Sequence, residues 1–223
     1  MNEKTPSISF QHRMDSIKEQ YSELGNLAIK LNGKGLELLQ GYDEETYESI
    51  VEDSHRMDVM TIDLERACIK FMATEQPLAG DLMFIESTIR VTSHIKRIGH
   101  LVLKIANAIR RIHTVSIPDE ILRELEFMGD YIQIMLKKSF RAFLNHDIDT
   151  ARQLADDDDK IDDLYDSILT RITETMAGDA EMVPYIIDTI FLARYFERIA
   201  DKAVSIGSRT IFMITLKRPG IDY

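Results

Sequence analysis

Paired carboxylates in the second half of the chain are the residues whose types and spacing are suited to chemistry. Asp162 follows Asp158 by four positions, and Asp201 follows Glu197 by four positions. In a helix, residues four apart share one face, with Cβ atoms about 5–6 Å apart. Two such helices side by side would converge oxygen ligands suited to Mg²⁺, Fe or Zn²⁺. The predicted metal ligands are Asp158, Asp162, Glu197 and Asp201.

A solvated acidic face is the alternative interpretation of the same residues. The four consecutive acids Asp156–Asp159 point in all directions around a helix, so at least two of them must lie at the surface. Arg194 and Arg198 flank the second pair of acids and could neutralise it without a metal. The spacing alone leaves both interpretations open.

Enzyme motifs give little support to a catalytic function. The ExxH pattern formed by Glu52 and His55 is one half of a di-iron carboxylate site, but the sequence contains no second copy. It also contains no GxSxG, no HExxH and no phosphate-cradling glycine loop. We therefore predict a non-enzymatic protein, with a di-metal redox protein in a helical bundle as the alternative.

Composition restricts the class of protein further. The chain has 223 residues and a formal net charge of −11, whereas a protein that binds bare nucleic acid needs a basic face. Cys68 is the only cysteine, which excludes an internal disulfide. The first ten residues are polar and no apolar run is long enough to span a membrane. These features predict a cytoplasmic protein that reaches a membrane only through a partner.

Six long segments repeat apolar residues at intervals of three and four, which is typical of amphipathic helices. They are residues 9–40, 43–74, 78–113, 118–144, 148–177 and 180–216. Asp43 and Ser116 are predicted N-caps, and Gly178-Asp179 separates the last two segments. No segment shows the alternating pattern of a strand. We predict an all-α fold of six helices in antiparallel bundles.

An internal repeat emerges when the third and sixth segments are aligned. Residues 95–100 match residues 196–201, an offset of 101, and Met57-Asp58 matches Ile161-Asp162 at a slightly different offset. The sequence therefore predicts two tandem three-helix repeats, at residues 8–114 and 115–216.

The same motifs resemble those of the PhoU family. In the second half they are Asp158-x-x-Ile161-Asp162-Asp163-Leu164-Tyr165 and Ala193-Arg194-x-x-Glu197-Arg198-Ile199-Ala200-Asp201. In the first half they are Gln76-Pro77-Leu78-Ala79-Gly80-Asp81-Leu82 and Arg97-Ile98-Gly99. The resemblance covers about residues 10–215. It implies two pseudo-symmetric three-helix bundles, frequent homodimers, and iron or zinc bound through E/DxxxD motifs.

The resemblance also implies a function. PhoU proteins are non-enzymatic negative regulators of phosphate uptake and of the phosphate-starvation response. They act between the Pst phosphate ABC transporter, through its ATPase subunit, and a PhoR-type sensor histidine kinase. The alternatives are a PhoU paralogue that serves another transporter, and a purely structural helical module.

The family's metal motifs are not equally preserved in the two halves. The acids are present in the second half, although Lys202 and Ser205 stand where many members have His and Asn. In the first half the final pair of acids falls on Lys96 and His100. His94 stands where the family has the acid that precedes this pair. Ser54 stands where the family has an acid four positions before Asp58. A lysine ammonium repels a divalent cation, so we expect Lys96 to pair with Asp58 instead of allowing a metal to bind there. We therefore predict at most one metal site, in the second repeat.

Overall fold

The computed structural model describes residues 8–115, 117–176 and 180–217 and contains six long α-helices. They are α1 (Ile8–Gln40), α2 (Glu44–Glu75), α3 (Ala79–Ile112), α4 (Asp119–Asn145), α5 (Ile148–Met176) and α6 (Val183–Thr215). No strand occurs in these ranges, so the predicted all-α class is confirmed. The predicted breaks at Ser116 and Gly178-Asp179 lie outside the described residues.

Local sequence determines where several helices begin and end. The Asp43 carboxylate accepts hydrogen bonds from the backbone N–H groups of Glu45 and Thr46 at 3.2 and 2.8 Å, which confirms it as an N-cap. Asp147 caps α5 in the same way, accepting from Thr150 N–H at 3.0 Å. The sixth helix begins later than predicted, because a short 3₁₀ turn at Ala180–Met182 precedes it.

The helices form two three-helix bundles, as predicted. Helices α1, α2 and α3 pack together, and so do α4, α5 and α6. The bundles join through α3 against α6, the most extensive helix pair, and through α1 against α4. The main contacts of α2 and α5 are with helices of their own bundle, so these two helices lie at the outer edges. Buried apolar residues form one core through both bundles, and the predicted boundary at residues 114 and 115 stays a prediction.

An ion pair between a partly exposed lysine and a buried aspartate occurs at the same place in each bundle. Lys34 Nζ on α1 lies 2.6 Å from Asp53 Oδ2 on α2, and Lys138 Nζ on α4 lies 2.7 Å from Asp157 Oδ2 on α5. The partners in the second pair follow those in the first by 104 residues. Buried residues on α2 and α5 obey the same spacing: Ile50 with Leu154, Met57 with Ile161, Leu64 with Ile168, and Cys68 with Ile172. This spacing aligns α2 with α5 throughout their length.

Candidate functional site

The four predicted metal ligands lie on two helices that pack against each other. Asp158 and Asp162 are on α5, and Glu197 and Asp201 are on α6. Glu197 is 8% exposed, Asp158 and Asp201 are half-buried, and Asp162 is exposed. The helix packing therefore brings both carboxylate pairs to one region of the second bundle, at its solvent boundary.

The negative charges of these acids repel one another across α5 and α6. Burial raises the pKa of Asp158, and repulsion from Asp162, Asp201 and Glu197 raises it further, to about 7. Burial and then the charge of Asp201 raise the pKa values of Asp162 and Glu197 above their ordinary values. Neighbouring negative charges thus disfavour ionisation of Asp158, Asp162 and Glu197, and a nearby cation would relieve the repulsion.

Glu197 is only half neutralised by its surroundings. The Arg194 guanidinium donates a hydrogen bond to Glu197 Oε1 at 2.6 Å, as the alternative interpretation of this acidic face anticipated. The other oxygen, Oε2, is buried and has no hydrogen-bond partner among the described residues. Leaving a buried carboxylate oxygen without a hydrogen-bond donor costs free energy. A cation bound to Glu197 Oε2 would remove this cost, so the carboxylates of this region fit a metal ion.

The side-chain geometry does not by itself form a coordination sphere. Across residues 8–115, 117–176 and 180–217, no three His, Cys, Asp or Glu side chains are arranged to hold one metal ion. The carboxylates therefore repel each other from nearby positions without converging on one point. Coordination by these acids would require some of them to change rotamer, and the metal site stays a prediction.

The equivalent place in the first bundle holds a salt-bridged triad instead. Asp58 on α2 lies 3.3 Å from Lys96 Nζ and 2.9 Å from His100 Nε2, both on α3. This confirms the predicted pairing of Lys96 with Asp58. Although burial acts to raise the pKa of Asp58, hydrogen bonds from His100 and Lys96 hold it below its ordinary value. Gly99 of the Arg97-Ile98-Gly99 motif lets α3 pack closely against Met57 of α2 beside this triad. A Cβ at Gly99 would come within 2.5 Å of Met57 Sδ.

The remaining histidines of interest do not join this triad. His94 is half-buried on α3, and burial and then the charges of Lys202 and Arg97 lower its pKa. Its Nδ1 atom is buried with no hydrogen-bond partner in the described part of the chain. Glu52 and His55 are both exposed, so the ExxH pattern lies on the surface of α2.

The buried Asp157 was not foreseen from the sequence. Within the run Asp156–Asp159, the first and last acids are exposed as predicted, but Asp157 is 4% exposed. It accepts hydrogen bonds from Lys138 at 2.7 Å and from the Tyr131 hydroxyl at 2.6 Å. The spacing of 104 residues to the Asp53–Lys34 pair is the sequence signal that could have identified it.

Its two consecutive three-helix bundles make the chain an α-helical protein of two structural repeats. The sequence profile of the PhoU domain matches the chain twice, at residues 21–109 and 125–210. The chain therefore belongs to the PhoU domain family.

Curated relatives extend over nearly the whole chain. It is 42% identical over 219 residues to "Phosphate-specific transport system accessory protein PhoU homolog 1" of Methanothermobacter thermautotrophicus, covering 98% of this chain and all of the relative. It is 26% identical over 201 residues to "Phosphate-specific transport system accessory protein PhoU" of Escherichia coli, covering 90% of this chain and 83% of the relative.

Solved structures confirm the fold. PhoU from Pseudomonas aeruginosa matches with a TM-score of 0.87 at 22% identity, over 93% of this chain and all of that one. The phosphate transport system regulatory protein PhoU from Streptococcus pneumoniae matches with a TM-score of 0.85 at 24% identity. The match covers 96% of this chain and 100% of that one.

Proposed function

We propose that the chain is an accessory protein of phosphate transport that acts by binding other proteins. The observation that carries this proposal is the 42% identity, over the full length of the relative, to a protein named for the phosphate-specific transport system. A role without catalysis accords with the sequence, which lacks the nucleophile and phosphate-loop motifs. None of the helices in the described ranges is both long and apolar enough to cross a membrane.

The proposed mechanism is that of a cytoplasmic adaptor. The chain binds the ATPase subunit of a Pst-type phosphate transporter and a PhoR-type sensor histidine kinase, and thereby represses phosphate-uptake genes. The exposed faces of the six helices offer surfaces for two partners, and self-association as a homodimer belongs to the same proposal. A paralogue that serves another transporter is the second candidate, favoured by the substitution of Lys96 and His100 for acids in the first repeat.

Binding assays with purified proteins test the adaptor function. The chain is expected to bind the transporter ATPase subunit and the cytoplasmic part of the kinase from the same organism. Deletion of the gene is expected to raise expression of a phosphatase reporter under phosphate-replete conditions. If the chain binds neither protein and the reporter is unchanged, the proposal is wrong and a structural role takes its place.

A metal in the second repeat is the finer part of the proposal. Asp158, Asp162, Glu197 and Asp201 would hold an Fe, Zn or Mg ion, which would neutralise their mutual repulsion and stabilise the contact between α5 and α6. Protein purified without an affinity tag should retain more metal than an Asp162→Asn/Asp201→Asn variant, as measured by elemental analysis. Equal metal contents in the two proteins would remove this part of the proposal.

A further inference from the structure

Two cavities lie on either side of one face of α4. The first has a volume of about 320 Å³ and lies between α1 and α4. The second has a volume of about 400 Å³ and lies between α4 and residues 147–153 at the start of α5. Lys137, Arg141 and Asn145 line both cavities. These three exposed residues, called here the α4 ridge, follow one another by four positions and so share one face of the helix.

The two positive charges of the α4 ridge are not neutralised by an ion pair. Neither Lys137 nor Arg141 pairs with a carboxylate among the described residues. A third cation, Lys138, lines the second cavity, but its Nζ atom lies 2.7 Å from Oδ2 of the buried Asp157. Lys137 and Arg141 are therefore available to a ligand that carries negative charge.

Only one carboxylate occurs among the described residues that line the two cavities. It belongs to Asp147, which accepts hydrogen bonds from Thr150 N–H at 3.0 Å and from the Thr150 hydroxyl at 2.6 Å. These hydrogen bonds lower the pKa of Asp147, and the charge of Arg141 lowers it further. The carboxylate is thus occupied in capping α5, and the lining of the cavities keeps a net positive charge.

The first repeat shows that the fold does not require the cations of the α4 ridge. Lys138 follows Lys34 by 104 residues, and both lysines pair with a buried aspartate. The residues that precede the two ridge cations by 104 are Gly33 and Glu37, and neither carries a positive charge. The chain as a whole has a formal net charge of −11. Two unpaired cations that folding does not require, at one place on such a chain, indicate a surface that attracts an anion.

The cavity between α1 and α4 adds apolar surface to these charges. Its lining includes the apolar side chains of Ile29, Phe140 and Leu144. Ser22 and Asn26 line the same cavity and supply a hydroxyl and an amide. Apolar side chains with a few polar groups, around a cavity of at least about 300 Å³, are typical of small-molecule sites.

We propose that the α4 ridge binds the phosphate groups of a small molecule whose apolar ring occupies the cavity between α1 and α4. A nucleotide is the simplest molecule that has both parts. The Arg141 guanidinium can donate two parallel hydrogen bonds to one phosphate group, and Lys137 adds a second charge with its Cβ about 5–6 Å away. A phosphate monoester carries about −1.5 to −2 charges at pH 7, which matches two cations better than a single carboxylate does.

Titration calorimetry with ATP tests this site on the chain alone. A chelator is present, so that neither Mg²⁺ nor a metal bound to the acids of the second repeat can join ATP to the protein. ATP is expected to bind saturably. Adenosine and tripolyphosphate each supply only one part of the ligand, so each should bind at least about tenfold more weakly than ATP.

Removal of the two cations should weaken the binding of ATP. Lys137→Gln/Arg141→Gln is expected to bind ATP at least about tenfold more weakly than wild type. Arg56→Gln/Arg123→Gln is the matched control, because it removes the same charge from exposed residues that line neither cavity. This control should bind ATP like wild type, and circular dichroism confirms that each variant is folded.

Several results would overturn the proposal. It is wrong if the wild-type chain shows no saturable binding of ATP, if the ridge variant binds ATP as tightly as wild type, or if the control variant loses as much affinity. Adenosine that binds as tightly as ATP would exclude a role for the cations. Tripolyphosphate that binds as tightly as ATP would exclude the apolar ring and overturn the assignment of the ligand. The proposed adaptor function is separate from all of these results, because it is tested with the partner proteins.

Discussion

Asp58 and Asp162 occupy equivalent positions in the two repeats, yet their surroundings shift their pKa values in opposite directions. Lys96 and His100 lower the pKa of Asp58, whereas burial and Asp201 raise the pKa of Asp162. The helices and core residues around the two sites correspond. The comparison teaches that the same helix packing accommodates an attractive set of charges at Asp58 and a repulsive set at Asp162.

An ion pair between a lysine and a buried aspartate is the charged feature that the two repeats share. Lys34–Asp53 and Lys138–Asp157 both join the first helix of a bundle to the second, and both carboxylates are buried. A lysine therefore neutralises this buried carboxylate in both repeats, whereas the charges around Asp58 and Asp162 differ.

Breaking this shared feature should have the largest effect. Lys138→Met leaves the buried Asp157 with Tyr131 and the more exposed Lys160, so the free energy of unfolding should fall by about 3 kcal/mol. Denaturant unfolding measures the change. The neighbouring Lys137 is exposed and forms no ion pair among the described residues, so Lys137→Met serves as the control. Equal stabilities of the two variants would contradict a structural role for the pair.

The acidic region of the second repeat should make stability depend on pH. Because the pKa of Asp158 is raised to about 7 in the folded state, folding favours its protonated form. In metal-free protein this contribution is complete below the unfolded pKa near 4 and is lost as the pH rises to about 7. With allowance for solvent screening, the loss should be about 2 kcal/mol.

Asp158→Asn checks the assignment of this pH dependence. Unfolding of the metal-free wild type and variant is measured at intervals between pH 4 and 8, and the difference should grow in favour of the variant up to about pH 7. A constant difference would show that Asp158 is not the titrating group. Added metal should reduce the difference, because a bound cation relieves the same repulsion.

Converting the first repeat to the charges of the second should have a smaller effect. Lys96→Glu/His100→Asp replaces two attractions to Asp58 with two repulsions, and these residues are about one third to one half exposed. We expect a loss of about 1–2 kcal/mol at neutral pH, measured by denaturant unfolding. The pKa of Asp58, followed by NMR, should move from below to above its ordinary value. An unchanged pKa would contradict the explanation of the difference between the repeats.

The sequence predicted the features that depend on local pattern. Apolar periodicity located all six helices, and Asp43 identified the start of one of them. The resemblance to the family's motifs led to the prediction that Lys96 pairs with Asp58, which the structure confirms. Asp157 was missed because four consecutive acids do not show which of them faces the core. The arrangement of the carboxylates on α5 and α6 was also beyond prediction, since it depends on rotamers and on the rotation of each helix.

The smallest expected effect is that of Asp58→Asn. Its ion pairs are partly exposed and should contribute less than about 1 kcal/mol. Since the pKa of Asp58 is lowered, its contribution is present above its unfolded pKa and is lost as the pH falls through the folded value, opposite in sign to that of Asp158. Asp58→Asn should therefore lower stability slightly at neutral pH and not at low pH, as measured by unfolding at pH 7 and pH 3. A variant more stable than wild type at pH 7 would show that the first repeat, like the second, holds its acid against repulsion.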